Sequence, residues 1–381
     1  MEEIEDVVSL LQALVRIPSI NPDGDPGAEN TGEAEIAVFV RDFLEGIGAQ
    51  ARLEEVLPER PNVIGRFPNR STEVPRILLA PHLDTVGVGG MIVDPFGAEI
   101  RDGKLYGRGA CDTKGTMAAM LWALKEIGAE ALGRLGAEVS FVAFCGEETA
   151  QPGSHHFADR YGGEYDFAVV GEPTDCDIVH KHKGVVWATL TSRGTAAHGS
   201  KPELGDNAIM KLLPLLQALD TEFRERLRAP EFADPVLGTP TLNIGQLHGG
   251  TRTNIVPDAC RAMLDMRVTP ALAAAGPAAM LRDFVAGFGD GEVEFELDLE
   301  TYALDTDAEN PFVKKLTGLP GSPQCVGASW FCDAAVLAQA GIAGVAAGPG
   351  SIDQAHTKDE WIDLGALREG VEFYKNFLRA L

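Results

Sequence analysis

Two patterns of apolar residues run along this chain, and each predicts one kind of element. Apolar positions at helical spacing predict helices over 4–15, 116–127 and 366–378, and a second early helix that starts at Asn30 with Glu33 as its capping-box partner. Short runs that are almost entirely apolar predict strands buried on both faces of a mostly parallel sheet. These runs are Ile77–Ala80, Val139–Phe144, Phe167–Val170 and Ile342–Ala347. Because strands and helices alternate, the pattern favours an α/β domain.

The alternation changes between residues 184 and 298, where the predicted elements follow the order β-α-β-β-α-β. They are a strand at Val185–Ser192, a helix at 206–227, strands at Thr241–Leu247 and Cys260–Val268, a helix at Ala271–Phe288 and a strand at Val293–Leu299. This order is the split βαβ arrangement of ferredoxin-like domains. We therefore predict a second domain at 184–298, inserted into a first domain that is formed by residues 1–183 and 299–381.

Composition and charge narrow the classes of protein to which this chain can belong. Its 381 residues, 45% hydrophobic and 23% charged, are typical of a globular protein with one large or two medium domains. The net charge of −25 argues against partners such as nucleic acid or an anionic membrane. No stretch approaches the ~18 apolar residues of a membrane span, and the acidic N-terminus does not resemble a secretory signal. The six cysteines form no C-x-x-C pair, which predicts reduced thiols and a cytoplasmic location.

Residues that can bind metal ions follow the ends of the predicted parallel strands. In chain order they are His82 and Asp84, Glu147 and Glu148, Glu172 and, after a short loop, His356. Open α/β sheets bind ligands at the carboxyl ends of their strands, so we expect these side chains to meet. Each one taken alone has an ordinary alternative, such as a loop histidine or an exposed glutamate in an acidic protein.

The residue types in this set suit a metallohydrolase. A carboxylate such as Asp84 near the second ring nitrogen of a ligating His82 would fix the tautomer of the ring. Adjacent residues at a strand end point in different directions, so one of Glu147 and Glu148 can bind metal while the other acts as a general base on water. Asp112 lies in a glycine-rich loop before a helix, where it could instead be an ordinary N-cap.

Two imidazoles and three carboxylates together can bind two zinc ions, each with an open position for water or substrate. They are His82, Asp112, Glu148, Glu172 and His356. A sixth candidate, His198, ends the first strand of the predicted inserted domain. It could be a turn histidine or a donor to a developing oxyanion.

The motifs around these residues resemble those of the acetylornithine deacetylase and succinyl-diaminopimelate desuccinylase family, in the dizinc superfamily that includes aminoacylases and glutamate carboxypeptidases. In order they are Pro81-His82-Leu83-Asp84-Thr85-Val86, Gly107-Arg108-Gly109-Ala110-Cys111-Asp112-Thr113-Lys114-Gly115, Glu147-Glu148, Gly171-Glu172-Pro173-Thr174, Ala197-His198-Gly199-Ser200 and Gln354-Ala355-His356. The match covers almost the whole chain. It implies a zinc-aminopeptidase-like catalytic domain with a mostly parallel sheet, and an inserted ferredoxin-like lid and dimerisation domain.

The resemblance also implies how two zinc ions per subunit are bound, with Co²⁺ or Mn²⁺ as substitutes. His82 and Glu172 bind one ion, Glu148 and His356 bind the other, and Asp112 bridges them.

The remaining site residues receive their roles from the same resemblance. Asp84 orients the zinc-binding imidazole, and Glu147 is the general base and later the general acid. His198 reaches the active site of a neighbouring subunit in a homodimer. Arg252 and Asn254 belong to a segment similar to the family's loop for the substrate carboxylate.

We therefore expect a zinc-dependent amidohydrolase that removes an acyl group, in our interpretation acetyl, from a small-molecule N-acyl amino acid such as N-acetylornithine. The acidic net charge mildly favours a substrate with a cationic side chain. The alternatives are a succinyl-diaminopimelate desuccinylase, a dipeptidase or carboxypeptidase of the same superfamily, and a metal-free scaffold without activity.

Overall fold

The computed structural model describes residues 4–24, 29, 31–288 and 292–381. The chain forms two compact units. The first contains the residues up to His180 together with Thr306–Val326 and Cys332–Leu381, and the second contains Lys181–Asp305 and Gly327–Phe331. The sequence placed the ends of the inserted segment at 184 and 298, close to the bounds of the second unit.

The helices and strands of the described residues are as follows. The helices are α1 (Val7–Arg16), α2 (Ala34–Gly46), α3 (Lys114–Ile127), α4 (Ala129–Leu132), α5 (Pro152–Tyr161), α6 (Ala208–Ala218), α7 (Arg224–Leu227), α8 (Pro270–Ala274), α9 (Pro277–Ala286), α10 (Pro311–Thr317), α11 (Asp333–Gln339) and α12 (Leu364–Arg379). The strands are β1 (Gln50–Leu57), β2 (Arg60–Phe67), β3 (Arg76–Ala80), β4 (Glu99–Arg101), β5 (Lys104–Tyr106), β6 (Glu138–Ala143), β7 (Phe167–Val170), β8 (Ile178–His182), β9 (Gly184–Arg193), β10 (Thr241–Gly249), β11 (Ala259–Val268), β12 (Val293–Glu300), β13 (Leu304–Asp305), β14 (Cys325–Ala328), β15 (Ala343–Ala346) and β16 (Trp361–Asp363).

The first unit is built on a sheet in which β1, β2, β6, β3, β7 and β15 are successive neighbours. Strands β6, β3, β7 and β15 are parallel, with Leu79 opposite both Phe141 and Val169, and Val169 opposite Val345. These are the short apolar runs of the sequence, and their side chains are buried. The predicted α/β class with a mostly parallel sheet is therefore confirmed.

Helices α1, α3 and α12 pack on this sheet through apolar faces. Leu14, Met120 and Phe377 are fully buried in one hydrophobic core with the strand residue Phe141. Burying a side chain of this size contributes about 1.5–3 kcal/mol, so this core fixes the strands whose ends carry the polar loops. In the described part of the chain, no helix combines the length and the apolar character needed to cross a membrane.

The second unit contains an antiparallel sheet with the strand order β10-β11-β9-β12. With β9 counted as the first strand, this is the order of a ferredoxin-like fold. Val186, Ala188 and Leu190 of β9 are buried in a core with residues of α6 and α9. The alternate residue Trp187 lies on the other face and is 37% exposed, as period-2 alternation requires.

Several details differ from the sequence-based expectations. Helix α2 begins at Ala34, and Asn30 lies outside the described residues. The Glu33 carboxylate does not cap the helix; it forms an ion pair with Arg60, with Oε1 2.7 Å from Nη2. The helix predicted at 271–288 is two helices, because Gly276 adopts φ 73° directly before Pro277. The antiparallel pair β1–β2 was not predicted.

Candidate metal centre and active site

The loop after β3 presents His82 at the carboxyl edge of the parallel strands. Pairing between β3 and β6 continues past the ends of these strands, because Leu83 N donates to Phe144 O at 2.7 Å and Phe144 N donates to Pro81 O at 3.0 Å. This pairing places His82 beside Phe144 and therefore beside the loop that carries the two glutamates. The ring of His82 is buried.

Asp84 anchors this loop and the next one. Its Oδ1 accepts a hydrogen bond from the backbone N–H of Glu147 at 3.0 Å. Its Oδ2 accepts one from the backbone N–H of Glu148 at 3.1 Å and one from the side-chain Nδ2 of Asn21 at 2.7 Å. His82 Nδ1 lies 3.0 Å from the Asp84 backbone carbonyl and 3.6 Å from its carboxylate. The imidazole of His82 therefore contacts the backbone carbonyl of Asp84 more closely than it contacts the Asp84 carboxylate.

Asp112 lies one residue before the N-cap position of α3, which is Thr113. Its carboxylate faces two imidazoles, with Oδ1 3.1 Å from His82 Nε2 and Oδ2 3.3 Å from His356 Nε2. Burial opposes its ionisation, but hydrogen bonds with His356 and His82 lower its pKa. Asp112 therefore lies between two imidazole nitrogens, which is the placement that a bridging ligand would need.

Glu147 and Glu148 follow β6 in the same loop, and the charges and contacts around the two carboxylates differ. Oε2 of Glu148 lies 3.0 Å from His356 Nε2, whereas its Oε1 is buried and has no hydrogen-bond partner among the described residues. Burial raises the pKa of Glu148 to about 7, and the charge of Asp112 acts in the same direction. Burial and the charge of Glu172 raise the pKa of Glu147 well above its usual range.

Glu172 follows β7 and is 4% exposed. Burial raises its pKa, and so does the negative charge of Asp112. Its Oε1 is a second buried carboxylate oxygen for which the described part of the chain offers no hydrogen-bond partner. Buried polar atoms normally have partners, so oxygens of this kind call for a ligand.

The donor set fits a metal ion. His82, Asp112 and Glu148 each offer one ligand atom, and these three atoms lie within 4.8 Å of one another. His356 contacts the carboxylates of Asp112 and Glu148 in this group. Glu172 is close enough for the charge of Asp112 to raise its pKa. Imidazole nitrogens and carboxylate oxygens are the ligands of catalytic zinc sites.

The other predicted site residues lie together in the second unit. His198 Nδ1 is 2.7 Å from Ser200 Oγ, and Gly199 N donates to Asn254 O at 2.8 Å. Arg252 lines an open cavity of about 600 Å³ with Gly199 and Asn207. The histidine and the proposed carboxylate-binding segment are thus neighbours within this unit.

Asn21 and Asp333 are among the buried polar residues that the sequence analysis did not single out. Asn21 binds the Asp84 carboxylate from a loop that is 63 residues away in sequence. Asp333 is 1% exposed, accepts Ser154 Oγ at 2.5 Å and has its pKa raised by burial to about 7. No local pattern indicates either contact, because each joins segments that are far apart in sequence.

Comparisons with known proteins identify the family of this chain. Residues 78–380 match the model of peptidase family M20/M25/M40. The chain is 30% identical over 370 residues to an acetylornithine deacetylase of Proteus mirabilis, which covers 94% of this chain and 92% of the relative.

Solved structures share the fold. An M20 family metallo-carboxypeptidase from Sulfolobus solfataricus superposes with a TM-score of 0.78 at 21% identity, covering 98% of this chain and 99% of that one. A Bacillus subtilis protein described as a dinuclear metal-binding peptidase of the M20 family has a TM-score of 0.69 at 16% identity, with 98% and 96% covered. The family match spans the strands and loops that carry His82, Asp112, Glu148, Glu172 and His356. The chain therefore belongs to peptidase family M20/M25/M40 and is a metallohydrolase that acts on amides.

Proposed function

We propose that this chain is a zinc-dependent amidohydrolase that removes an acetyl group from an N-acyl amino acid, N-acetylornithine or a close relative. The observation that carries the proposal is the buried cluster of His82, Asp112 and Glu148, with Glu147 beside it as a separate carboxylate. The 30% identity to an acetylornithine deacetylase supports the proposal that the acyl group is acetyl. The net charge of −25 favours a cationic side chain on the substrate.

The donor set supports two zinc ions in each subunit. His82 and Glu172 would bind one ion, Glu148 and His356 would bind the other, and Asp112 would bridge them. Co²⁺ and Mn²⁺ accept the same ligand types. When bound, the ions supply Lewis-acid polarisation of the amide carbonyl.

Glu147 is the proposed proton carrier. Its backbone is fixed on Asp84, so the carboxylate is held at one place at the edge of the sheet. Burial raises the pKa of Glu147 well above its usual range, which makes the carboxylate a stronger proton acceptor. In the proposed reaction, Glu147 takes a proton from the attacking water and later donates it to the leaving amine.

The second unit would supply substrate contacts. We propose that Arg252 binds the α-carboxylate of the substrate, that Asn254 supports this loop, and that His198 donates a hydrogen bond to the developing oxyanion. All six cysteines are free thiols, which supports the proposed cytoplasmic location.

A substrate panel tests the proposed specificity. The zinc-loaded protein should hydrolyse N-acetylornithine with a kcat/KM at least ~10-fold above that for N-acetylglutamate, because a site selects its side chain through paired charges. N-succinyl-diaminopimelate and a set of dipeptides complete the panel. If one of these is the preferred substrate, the acetylornithine proposal is wrong and the corresponding alternative takes its place.

The two adjacent glutamates should respond differently to the same substitution. Glu147→Gln should keep the metal content of the protein and lower kcat by ~10²–10⁴-fold, since it removes a proton carrier. Glu148→Gln should lower metal content, since it removes a ligand. Elemental analysis beside steady-state kinetics separates the two effects, and equal metal loss in both variants would contradict the division of roles.

Metal binding should release protons and strengthen as the pH rises. Hydrogen bonds with Asp112 and Glu148 raise the pKa of His356 to about 10, so without metal this ring is protonated at pH 7. A ligand must lose its proton to bind metal, so affinity should rise about tenfold per pH unit for each proton released.

Titration calorimetry with Zn²⁺ in two buffers of different ionisation enthalpy counts these protons. The control is His248→Gln, because His248 is an exposed residue of the second unit that contacts Gln246. On binding Zn²⁺, the His248→Gln variant should release as many protons as the parent protein. An affinity that does not change between pH 6 and pH 8 would count against His356 as a ligand.

The exposed apolar residues of the second unit support the proposed homodimer. Strand β10 is an edge strand, and its Leu247 is 49% exposed. Met210 and Leu213 of α6 are 62% and 42% exposed. An unpaired edge beside apolar side chains can pair with the same surface of a second copy through a two-fold axis.

A mixing experiment tests whether His198 serves the neighbouring subunit. Inactive His198→Ala and inactive Glu147→Gln proteins are allowed to exchange subunits at an equal ratio. If His198 acts in trans, one site of each mixed dimer has both groups, so roughly a quarter of the parent activity should return. Proven exchange without recovery would show that His198 acts within its own subunit or has no catalytic role.

A further inference from the structure

A buried ion pair, Arg108–Glu360, lies where the ligand-bearing loops of the first unit meet. Arg108 Nη1 donates to Glu360 Oε2 at 2.7 Å, and the two side chains are 4% and 0% exposed. Neither residue stood out in the sequence analysis as a ligand or a catalytic group. They are 252 residues apart in sequence, so the pair connects two distant segments.

Glu360 fixes the backbone of the loop that carries Asp112. Its Oε1 accepts the backbone N–H of Cys111 at 2.9 Å and that of Asp112 itself at 3.0 Å. Its Oε2 accepts Gly109 N at 3.0 Å, in addition to the Arg108 guanidinium. Successive backbone amides thus converge on one carboxylate, an arrangement that binds an anion firmly.

Arg108 extends this network to two other loops. Its Nε donates to Gly87 O at 3.1 Å, three residues after Asp84. Its Nη2 donates to Thr357 O at 3.4 Å, directly after His356. The ion pair therefore holds the three loops that carry His82, Asp112 and His356.

We propose that Arg108 and Glu360 are positioning residues that hold the ligand-bearing loops in the geometry that binds metal ions. This inference rests on the metal centre of the proposed function, and neither residue touches the ions in it. A buried ion pair contributes little net stability, so its value lies in the geometry it fixes. Outer residues that orient metal ligands typically change metal affinity about 10–100-fold when they are substituted.

Glu360→Gln is the sharpest test, because a glutamine is similar in size but presents an NH₂ group to N–H donors whichever way its amide is turned. Co²⁺ is titrated into the full-length metal-free protein and followed by its visible absorption, which reports ligand geometry without any turnover. We expect the variant to bind Co²⁺ about 10–100-fold more weakly than the parent, with an altered spectrum.

Asp234→Asn is the matched control. Asp234 also accepts two backbone N–H groups, from Val236 at 2.8 Å and Leu237 at 3.0 Å, and it pairs with Lys181 at 2.9 Å. It lies in the second unit, which contains none of the proposed metal ligands. This variant should lose stability and keep the Co²⁺ affinity of the parent.

A second variant and a second measurement cover the case in which Glu360→Gln does not fold. Arg108→Lys keeps the positive charge but loses the fork that reaches Gly87, Thr357 and Glu360 at once, so it should also weaken Co²⁺ binding. Hydrogen exchange of the amides over 109–112 should be faster in either folded variant than in the parent.

The inference is overturned if the folded variants bind Co²⁺ within about twofold of the parent, well below the usual effect of an outer-residue substitution. It is also overturned if the parent binds no Co²⁺, which would remove the metal centre as well. A parent that binds Co²⁺ but hydrolyses no substrate of the panel would contradict the proposed function alone.

Discussion

The physical constraint on which this structure depends is the burial of several carboxylates at the carboxyl edge of the parallel strands. Asp112, Glu147 and Glu172 are 7%, 8% and 4% exposed. His82 and His356 bring positive charge into direct contact with the cluster. Buried like charges are tolerated only when they are protonated or neutralised by cations. Without metal the cluster therefore holds protons, and the fold that gathers these carboxylates also creates a demand for cations.

The loops that carry these buried carboxylates are held in place by backbone N–H groups that donate to two other carboxylates, those of Asp84 and Glu360. Asp84 accepts the N–H groups of Glu147 and Glu148, and Glu360 does the same for the loop of Asp112. Each anchoring carboxylate is fully buried and has its acceptor positions occupied by fixed donors. Because short loops between strands and helices have little core of their own, such contacts take the place of hydrophobic packing in fixing the proposed ligands.

The sequence was sufficient for the fold class, because the fold class follows from local patterns, and the same patterns led to the proposed ligand set. Apolar runs marked β3, β6, β7 and β15, and the carboxyl ends of parallel strands must meet at one edge. Contacts between distant segments carry no such pattern, so Asn21 and the Arg108–Glu360 pair were missed. The Gly276-Pro277 break was present in the sequence, but the apolar periodicity on both sides obscured it. Glu33 has the local spacing of a capping box, and the buried guanidinium of Arg60 competes successfully for its carboxylate.

The Proteus mirabilis relative is a deacetylase, whereas the two solved structures are peptidases. This difference has a physical explanation. An N-acetyl group and a peptide would present the same amide to the proposed metal centre and to Glu147, so these groups would not distinguish the two substrates. At 21% and 16% identity, the peptidase structures share the fold and support no choice of substrate. Specificity must come from residues that contact the acyl group and the side chain of the substrate. In this protein the segment around Arg252 is a candidate, since it lines an open cavity in a unit that contains none of the proposed metal ligands.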